Sequence, residues 1–131
     1  KGILDVRDAR LAVDSGADGI IVSNHGGRQL DGTVPPLRVL PGIVQACPEV
    51  PVMIDSGFRR GTDVLKAVAL GAKFVFVGRP FNYAASVAGE DGVRKAIGLL
   101  REEVSRNMAM LGVNGLSELD ASYLLPAHPV S

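Results

Sequence analysis

Residues 19–23 read Gly-Ile-Ile-Val-Ser, a short run rich in β-branched side chains without alternation of polar and apolar positions. This pattern is typical of a parallel strand that is buried on both faces. Comparable runs recur at 52–54 and 74–77, and a stretch with helical spacing of apolar residues precedes each of them. Strands that alternate with helices through short connections predict parallel βα units.

The helical stretches are delimited by capping residues and glycines. Four helices are expected, at 5–15, 35–46, 63–70 and 80–112. Thr62 or Gly61 is the expected cap of the third helix. The remainder, 113–131, is expected to form one short helical turn followed by a loose tail from Pro126 onward.

Parallel βα units build either a doubly wound sheet or a (β/α)8 barrel, and the barrel is favoured here. In barrels the reactive groups lie where strands end and loops begin, and the unusual polar clusters of this sequence follow its predicted strands. A complete barrel takes about 250 residues, whereas this chain has 131. The sequence therefore predicts an α/β fold that forms the C-terminal part of a TIM barrel, about strands 6 to 8 with their helices.

Composition disfavours several classes of partner. Fourteen basic and 14 acidic side chains leave no net charge to attract nucleic acid or an anionic bilayer. The single cysteine, Cys47, cannot form an internal disulfide, and we expect it to be a small buried apolar residue. No apolar run reaches the roughly 20 residues of a membrane span, and the first residues lack signal-peptide features. We expect a cytoplasmic or peripheral membrane protein.

The first polar cluster, residues 23–31, reads Ser-Asn-His-Gly-Gly-Arg-Gln-Leu-Asp. His25 can take up a proton near neutral pH, and the adjacent glycines allow backbone to approach a ligand closely. Arg28 can bind a carboxylate through two hydrogen bonds. A lone histidine after a strand is more often structural, but these neighbours favour a catalytic site for a substrate that carries a carboxylate.

Two further clusters, residues 55–62 and 78–80, also follow predicted strands. Both combine glycine and arginine next to a helix start, a combination suited to an anion such as phosphate. Either cluster alone is more simply explained as a turn with solvated arginines, but two on neighbouring strands favour one shared phosphate site. The sequence lacks the Gly-x-Gly-x-x-Gly fingerprint of Rossmann dinucleotide sites, and no metal site is predicted.

These motifs resemble the FMN-dependent α-hydroxy-acid oxidases and dehydrogenases, a family that includes glycolate oxidase, lactate oxidase and dehydrogenase, and mandelate dehydrogenase. The resemblance runs from residue 1 to about residue 112. It is carried by residues 23–31, 55–63 and 69–72, together with Gly-Arg-Pro at 78–80. The tail at 113–131 falls outside it.

The resemblance implies oxidation of an L-α-hydroxy acid to the 2-keto acid by an oxidoreductase that uses FMN. His25 is then the base, also in contact with substrate, and Arg28 binds the substrate carboxylate. Lys1 is implied beside flavin N1 and O2, where a positive charge stabilises the reduced ring. The other implied flavin contacts are Ser23 near the ring, Asp55 at the ribityl hydroxyls, and Gly57, Arg59, Gly78 and Arg79 at the phosphate.

Other residues that the family uses, including active-site tyrosines and an aspartate that orients the histidine, have no counterpart in this sequence. We therefore expect residues 1–131 to be the C-terminal half of the enzyme, dependent on the N-terminal half to close the barrel and bind FMN. Complete members commonly form tetramers. Glycolate, lactate and mandelate, and oxidase or dehydrogenase activity, all stay open. The alternatives are another phosphate-binding barrel, such as isopentenyl diphosphate isomerase or inosine monophosphate dehydrogenase, and a non-catalytic half-barrel binding module.

Overall fold

A computed structural model describes residues 1–125 and shows an α/β fold in which helices alternate with short parallel strands. In chain order the elements are α1 (Val6–Asp14), β1 (Ile20–Val22), α2 (Pro36–Ala46), β2 (Val52–Ile54), α3 (Gly61–Ala69), β3 (Phe74–Val75) and α4 (Arg79–Leu111). Three single turns of 3-10 helix lie at His25–Gly27, Leu116–Glu118 and Ala121–Tyr123. Among these residues no helix has the length and apolar character needed to cross a membrane.

The strands form one parallel sheet in the order β1-β2-β3. Ile3 adds an isolated parallel bridge to Val22, so the first residues of the chain lie along β1. The predicted parallel order is confirmed. The third strand is shorter than the expected 74–77, although the amide of Phe76 still donates to the carbonyl of Ile54 at 2.9 Å. Within the described residues β3 has a neighbour on one side only, which limits its ladder.

One face of the sheet is buried and the other is partly exposed. The helix-covered face carries Val22 and Ile54, both fully buried, and packs on Leu40 and Ile43 of α2. The opposite face carries Phe74, paired in register with Met53 and 56% exposed. The prediction of strands buried on both faces is therefore wrong for the described residues, because Ile21 and Met53 on the second face are only partly buried and Phe74 is exposed. Cys47 is buried within the core, as expected.

The cap of α3 and the continuity of α4 differ from the predictions. The N-cap of α3 is Arg60, not Thr62 or Gly61, because the Asp63 carboxylate accepts hydrogen bonds from the amides of Arg59 and Arg60, each at 3.0 Å. The predicted long helix is interrupted near Gly89, whose φ of 54° lies in the left-handed region. α4 thus consists of two helical segments joined by a kink.

The segment after α4 is packed and not loose as far as Leu125. Val113 and Leu119 are buried against Leu65 and Ala69 of α3, and the segment forms two helical turns where one was expected. Apolar residues at both ends of this segment hold it to the helix pair, which the sequence alone did not indicate. The expected tail from Pro126 to Ser131 lies outside the described residues.

The start of α3 is in close contact with α4. A Cβ atom added to Gly61 would lie 2.6 Å from both the Cβ of Glu103 and the amide nitrogen of Val104. The Glu103 carboxylate accepts a hydrogen bond from the Gly61 amide at 2.7 Å and forms an ion pair with the Arg60 guanidinium at 2.7 Å. The hydrogen bond from Gly61, followed by that from Arg60, lowers the pKa of Glu103 below its usual value. The contact thus fixes the helix that follows the polar loop at 55–60.

Gly61→Ala is expected to destabilise the protein by about 1–3 kcal/mol, because the added methyl group has no space against the α4 backbone. Gly98→Ala is the matched control, since Gly98 lies within α4 with no atom within 4 Å of the added methyl position. Removing a helical glycine there is expected to stabilise by up to about 1 kcal/mol. Urea unfolding of both variants measures the difference; equal effects would contradict the packing account.

Candidate active site

The three polar segments of the sequence meet at the carboxyl-terminal edge of the sheet. The parallel register brings the ends of β1, β2 and β3 side by side, and the loops that follow them border one cleft of about 460 Å³. Every residue expected in the site except Ser23 lines this cleft: Lys1, His25, Arg28, Asp55, Gly57, Arg59, Gly78 and Arg79. The structure therefore brings the sequence-derived candidates together in one place.

An ion pair lies between the chain start and the end of β2. The Lys1 Nζ atom is 2.8 Å from Asp55 Oδ2, and it donates to the hydroxyl of Ser23 at 3.0 Å. Ser23 is fully buried, so it does not border the cleft, but its hydroxyl fixes the lysine that does. The Lys1 side chain is 45% exposed and that of Asp55 17%, which leaves the ammonium group accessible from the cleft.

Asp55 is held in its charged form by its neighbours. Burial raises the pKa of Asp55, but hydrogen bonds from Lys1, Ser23 and Ser56, with the positive charge of Lys1, together outweigh it and lower the pKa below its usual value. The carboxylate therefore stays ionised at neutral pH, and it can accept hydrogen bonds but not donate them.

His25 lies in a turn with an uncommon backbone conformation. His25, Gly26 and Gly27 have φ angles of 56°, 68° and 72°, all in the left-handed region. The His25 amide donates to the Ser23 hydroxyl at 3.1 Å. The imidazole lies over Gly2, where an added Cβ would be 2.8 Å from its Cε1 atom. A side chain at position 2 would displace the imidazole, so this glycine is part of the site.

Three arginines border the cleft from three different loops. Arg28 follows the His25 turn, Arg59 follows β2, and Arg79 begins α4; all three are exposed. The Arg79 guanidinium donates to the carbonyl oxygen of Gly26 at 2.9 Å. Gly78 is the N-cap of α4, and the partial positive charge of a helix N-terminus adds to the arginines.

The backbone around 59–61 is less available to an anion than the sequence indicated. Asp63 accepts from the amides of Arg59 and Arg60, and Glu103 accepts from Gly61. An anion at this loop therefore meets the Arg59 side chain and the segment Ser56–Gly57, where both φ angles are positive, at 75° and 87°.

Sequence reasoning missed Ser56. Its hydroxyl donates to Asp55 Oδ1 at 2.7 Å and accepts from the amide of Gly26 at 3.1 Å, so it connects the loop after β2 to the loop after β1. A serine before a glycine at a strand end is an ordinary turn pattern, and only its positive φ and its partners distinguish it. Gly2 was missed for a similar reason, since its contact with His25 depends on tertiary structure.

The charge of the cleft favours an anionic ligand. Four cationic side chains border it, those of Lys1, Arg28, Arg59 and Arg79, against the single carboxylate of Asp55. An imidazole beside a guanidinium can accept a proton from a ligand whose carboxylate the guanidinium holds. Across residues 1–125 no group of three or more His, Cys, Asp or Glu side chains is arranged to hold a metal ion.

Solved structures of mandelate oxidase share this fold. The structure with benzoyl-formic acid is 54% identical to this chain with a TM-score of 0.86, and the match covers 89% of this chain and 35% of the other. A second structure, of a mandelate oxidase mutant, has the same identity, TM-score and coverage of this chain, and it is described with a monooxide FMN adduct.

Curated relatives of this chain are named as oxidases or dehydrogenases of hydroxy acids. Glycolate oxidase 2 of Oryza sativa subsp. indica is 48% identical over 95% of this chain and 34% of its own length. The 4-hydroxymandelate oxidase of Amycolatopsis orientalis is 58% identical over 86% of this chain and 32% of its own. L-lactate dehydrogenase of Pseudomonas aeruginosa (strain LESB58) is 49% identical over 95% of this chain and 33% of its own length. The chain thus spans about a third of the length of the curated relatives it matches.

A family profile described as FMN-dependent dehydrogenase matches residues 1–126. The match includes all the segments that border the cleft, and it continues past residue 112, where the sequence resemblance was expected to end. The packing of Val113 and Leu119 on α3 accounts for that extension, because the segment is part of the fold. The chain belongs to the FMN-dependent dehydrogenase family.

Proposed function

We propose that the protein oxidises an L-α-hydroxy acid to the corresponding 2-keto acid with FMN as cofactor. The observation that carries this proposal is the position of the His25 imidazole, in the same cleft as Arg28 and the Lys1–Asp55 ion pair. The relatives described above are named for glycolate, 4-hydroxymandelate and L-lactate. They support hydroxy-acid oxidation over an isopentenyl diphosphate isomerase activity or a non-catalytic binding module.

The residues of the cleft fit FMN. Its volume, about 460 Å³, lies within the range of small-molecule sites. A phosphate would meet Arg59 and Arg79 with Gly57 and Gly78, at the N-terminus of α4. Lys1, fixed by Ser23 and Asp55, supplies a positive charge for the flavin ring, and Asp55 supplies an acceptor for ribityl hydroxyls. FMN, when bound, would accept the two electrons and one of the two protons that the hydroxy acid loses, and the other proton would go to His25.

The remaining steps belong to the side chains of this chain. Arg28 binds the substrate carboxylate with its planar guanidinium, which orients the hydroxyl-bearing carbon toward His25. The imidazole of His25 removes a proton from the hydroxy acid during oxidation. The ammonium group of Lys1 would lie beside the flavin ring and would supply a positive charge to stabilise its reduced form. Asp55 holds Lys1 in place without neutralising the cleft, where the positive charges remain in excess.

We further propose that residues 1–131 form about strands 6 to 8 of a (β/α)8 barrel and need an N-terminal half of the same polypeptide to complete it. The partly exposed sheet face and the outer edge of β3, which has no partner strand within residues 1–125, support this arrangement, since uncovered edges and apolar faces are unfavourable in water. A homo-oligomer, as in complete members of the family, is part of the same proposal.

The identity of the hydroxy acid is tested by mixing the full-length flavoprotein anaerobically with glycolate, L-lactate and mandelate. We expect at least one of them to bleach the flavin, and His25→Gln to slow that reduction by about 10²–10⁴-fold with FMN still bound, as is typical when a general base is lost. His128→Gln is the control, since His128 lies beyond the matched residues 1–126. If the flavin stays oxidised with all three hydroxy acids, the proposed function is refuted.

Arg28→Met is expected to weaken hydroxy-acid binding by about tenfold to a hundredfold, because a charge-assisted bidentate contact is worth about 1.5–3 kcal/mol. FMN content should not change. Arg38→Met removes an exposed arginine of α2 that does not border the cleft, and it should leave KM unchanged. Steady-state kinetics with the preferred substrate provides the comparison, and an unaltered KM for Arg28→Met would exclude its role.

Arg59→Met is expected to weaken FMN binding by about tenfold or more while leaving riboflavin binding nearly unchanged, because riboflavin lacks the phosphate that the guanidinium would bind. Arg101→Met, on the exposed surface of α4, is the matched control. Titration of the apoprotein with each flavin, followed by fluorescence quenching, measures both constants. Equal losses of affinity for FMN and riboflavin would place Arg59 away from the phosphate.

A further inference from the structure

We propose that Ser56 is a positioning residue that holds His25 in its working orientation. This rests on the proposed function, in which His25 is the base. Ser56 does not touch the imidazole; it acts on residues 24–27, called here the His25 loop, through a hydrogen bond to their backbone. Three observations support this role: the direction of its two hydrogen bonds, the backbone conformation on both sides of the contact, and the second bond that Arg79 makes to the same loop.

The two hydrogen bonds of Ser56 have a fixed direction. A carboxylate can only accept, so the Ser56 proton points to Asp55 Oδ1, at 2.7 Å. The lone pairs of the hydroxyl oxygen are then free to accept, and the amide of Gly26 donates to it at 3.1 Å. Donation to an ionised carboxylate makes the serine oxygen a better acceptor. The ionised Asp55 thus strengthens the bond that holds the loop.

The His25 loop needs such support because its conformation is unfavourable. Left-handed φ angles are uncommon for residues other than glycine, and His25 has one at 56°, followed by Gly26 at 68°. Gly26 is held at both of its backbone polar groups: Ser56 binds its amide, and Arg79 binds its carbonyl oxygen at 2.9 Å. The amide of His25 itself is bound by Ser23. These three bonds hold the backbone from which the imidazole projects.

The backbone of Ser56 supports a role for its hydroxyl. Its φ of 75° is a conformation that glycine adopts without strain and serine does not. Glycine would therefore suit the turn better on conformational grounds alone. The feature that serine adds is the hydroxyl, and both of its hydrogen-bond partners lie in the cleft lining, at Asp55 and Gly26.

Two variants of the full-length flavoprotein separate the hydroxyl from the backbone strain. Ser56→Ala removes the hydroxyl and keeps a strained side chain, whereas Ser56→Gly removes the hydroxyl and the strain together. We expect both to slow anaerobic flavin reduction by about tenfold to a hundredfold, because a misplacement of about 1 Å can cost that much. KM and FMN content should change much less. Ser15→Ala is the control, because it removes an exposed hydroxyl that donates a hydrogen bond to the carbonyl oxygen of Leu11. Its rate of flavin reduction should equal that of the wild type.

The kinetic result overturns the proposal in two cases. If Ser56→Ala is slow and Ser56→Gly has the wild-type rate, backbone strain and not the hydroxyl is responsible. If both variants reduce flavin at the wild-type rate, the loop does not depend on Ser56. Slower reduction in both, with KM nearly constant, supports the proposal.

Hydrogen–deuterium exchange gives a readout that does not depend on activity. The Gly26 amide should exchange faster in both Ser56 variants than in the wild type and in Ser15→Ala, because its acceptor is lost. Unchanged exchange at Gly26 would overturn the proposal. If the wild-type flavin is not reduced by any hydroxy acid, the proposed function fails, and the exchange experiment still decides whether Ser56 holds the loop.

Discussion

The parallel pairing of β1 with β2 and of β2 with β3 is the constraint on which the rest of the structure depends. Parallel strands end at the same edge of a sheet, so each βα loop adds side chains to one place. His25, Asp55 and Arg79 are separated by tens of residues in the sequence, yet they border one cleft. An antiparallel arrangement would have placed the loop after β2, with Asp55 and Arg59, at the opposite edge from His25.

The electrostatics of the cleft follow from this convergence. Four cationic side chains concentrated in one concave surface attract an anion more strongly than the same charges dispersed, because the protein walls limit screening by water. Asp55 offsets only part of this charge and does so at a defined point, the Lys1 ammonium. The lowered pKa of Asp55 keeps its carboxylate ionised across the neutral range, so the carboxylate continues to hold Lys1.

Sequence patterns predicted most of the fold and most of the cleft, and the failures have physical causes. Strand runs, glycine stops and the polar clusters are local signals, and they located β1, β2, α1 and α2 well. The predicted cap of α3 was wrong because the acceptor that decides the helix start, Asp63, lies inside the helix. Its carboxylate accepts hydrogen bonds from the preceding amides of Arg59 and Arg60. Ser56 and Gly2 could not be found from sequence, because their contacts join segments that only the tertiary structure brings together.

The buried and exposed faces of the sheet indicate how the edge that carries the cleft is positioned. The face toward α2 is packed with fully buried residues, among them Val22 and Ile54, which immediately precede the polar loops. A strand anchored by such side chains has little freedom at its end. The loop that follows the strand therefore starts from a fixed position. The opposite face, with Phe74 at 56% exposure, has no comparable packing within residues 1–125. β3 and the residues that follow it contribute only the partly buried Val75 and Val77 to the packed core, and the bond from Arg79 to Gly26 adds a direct connection between the start of α4 and the loop after β1.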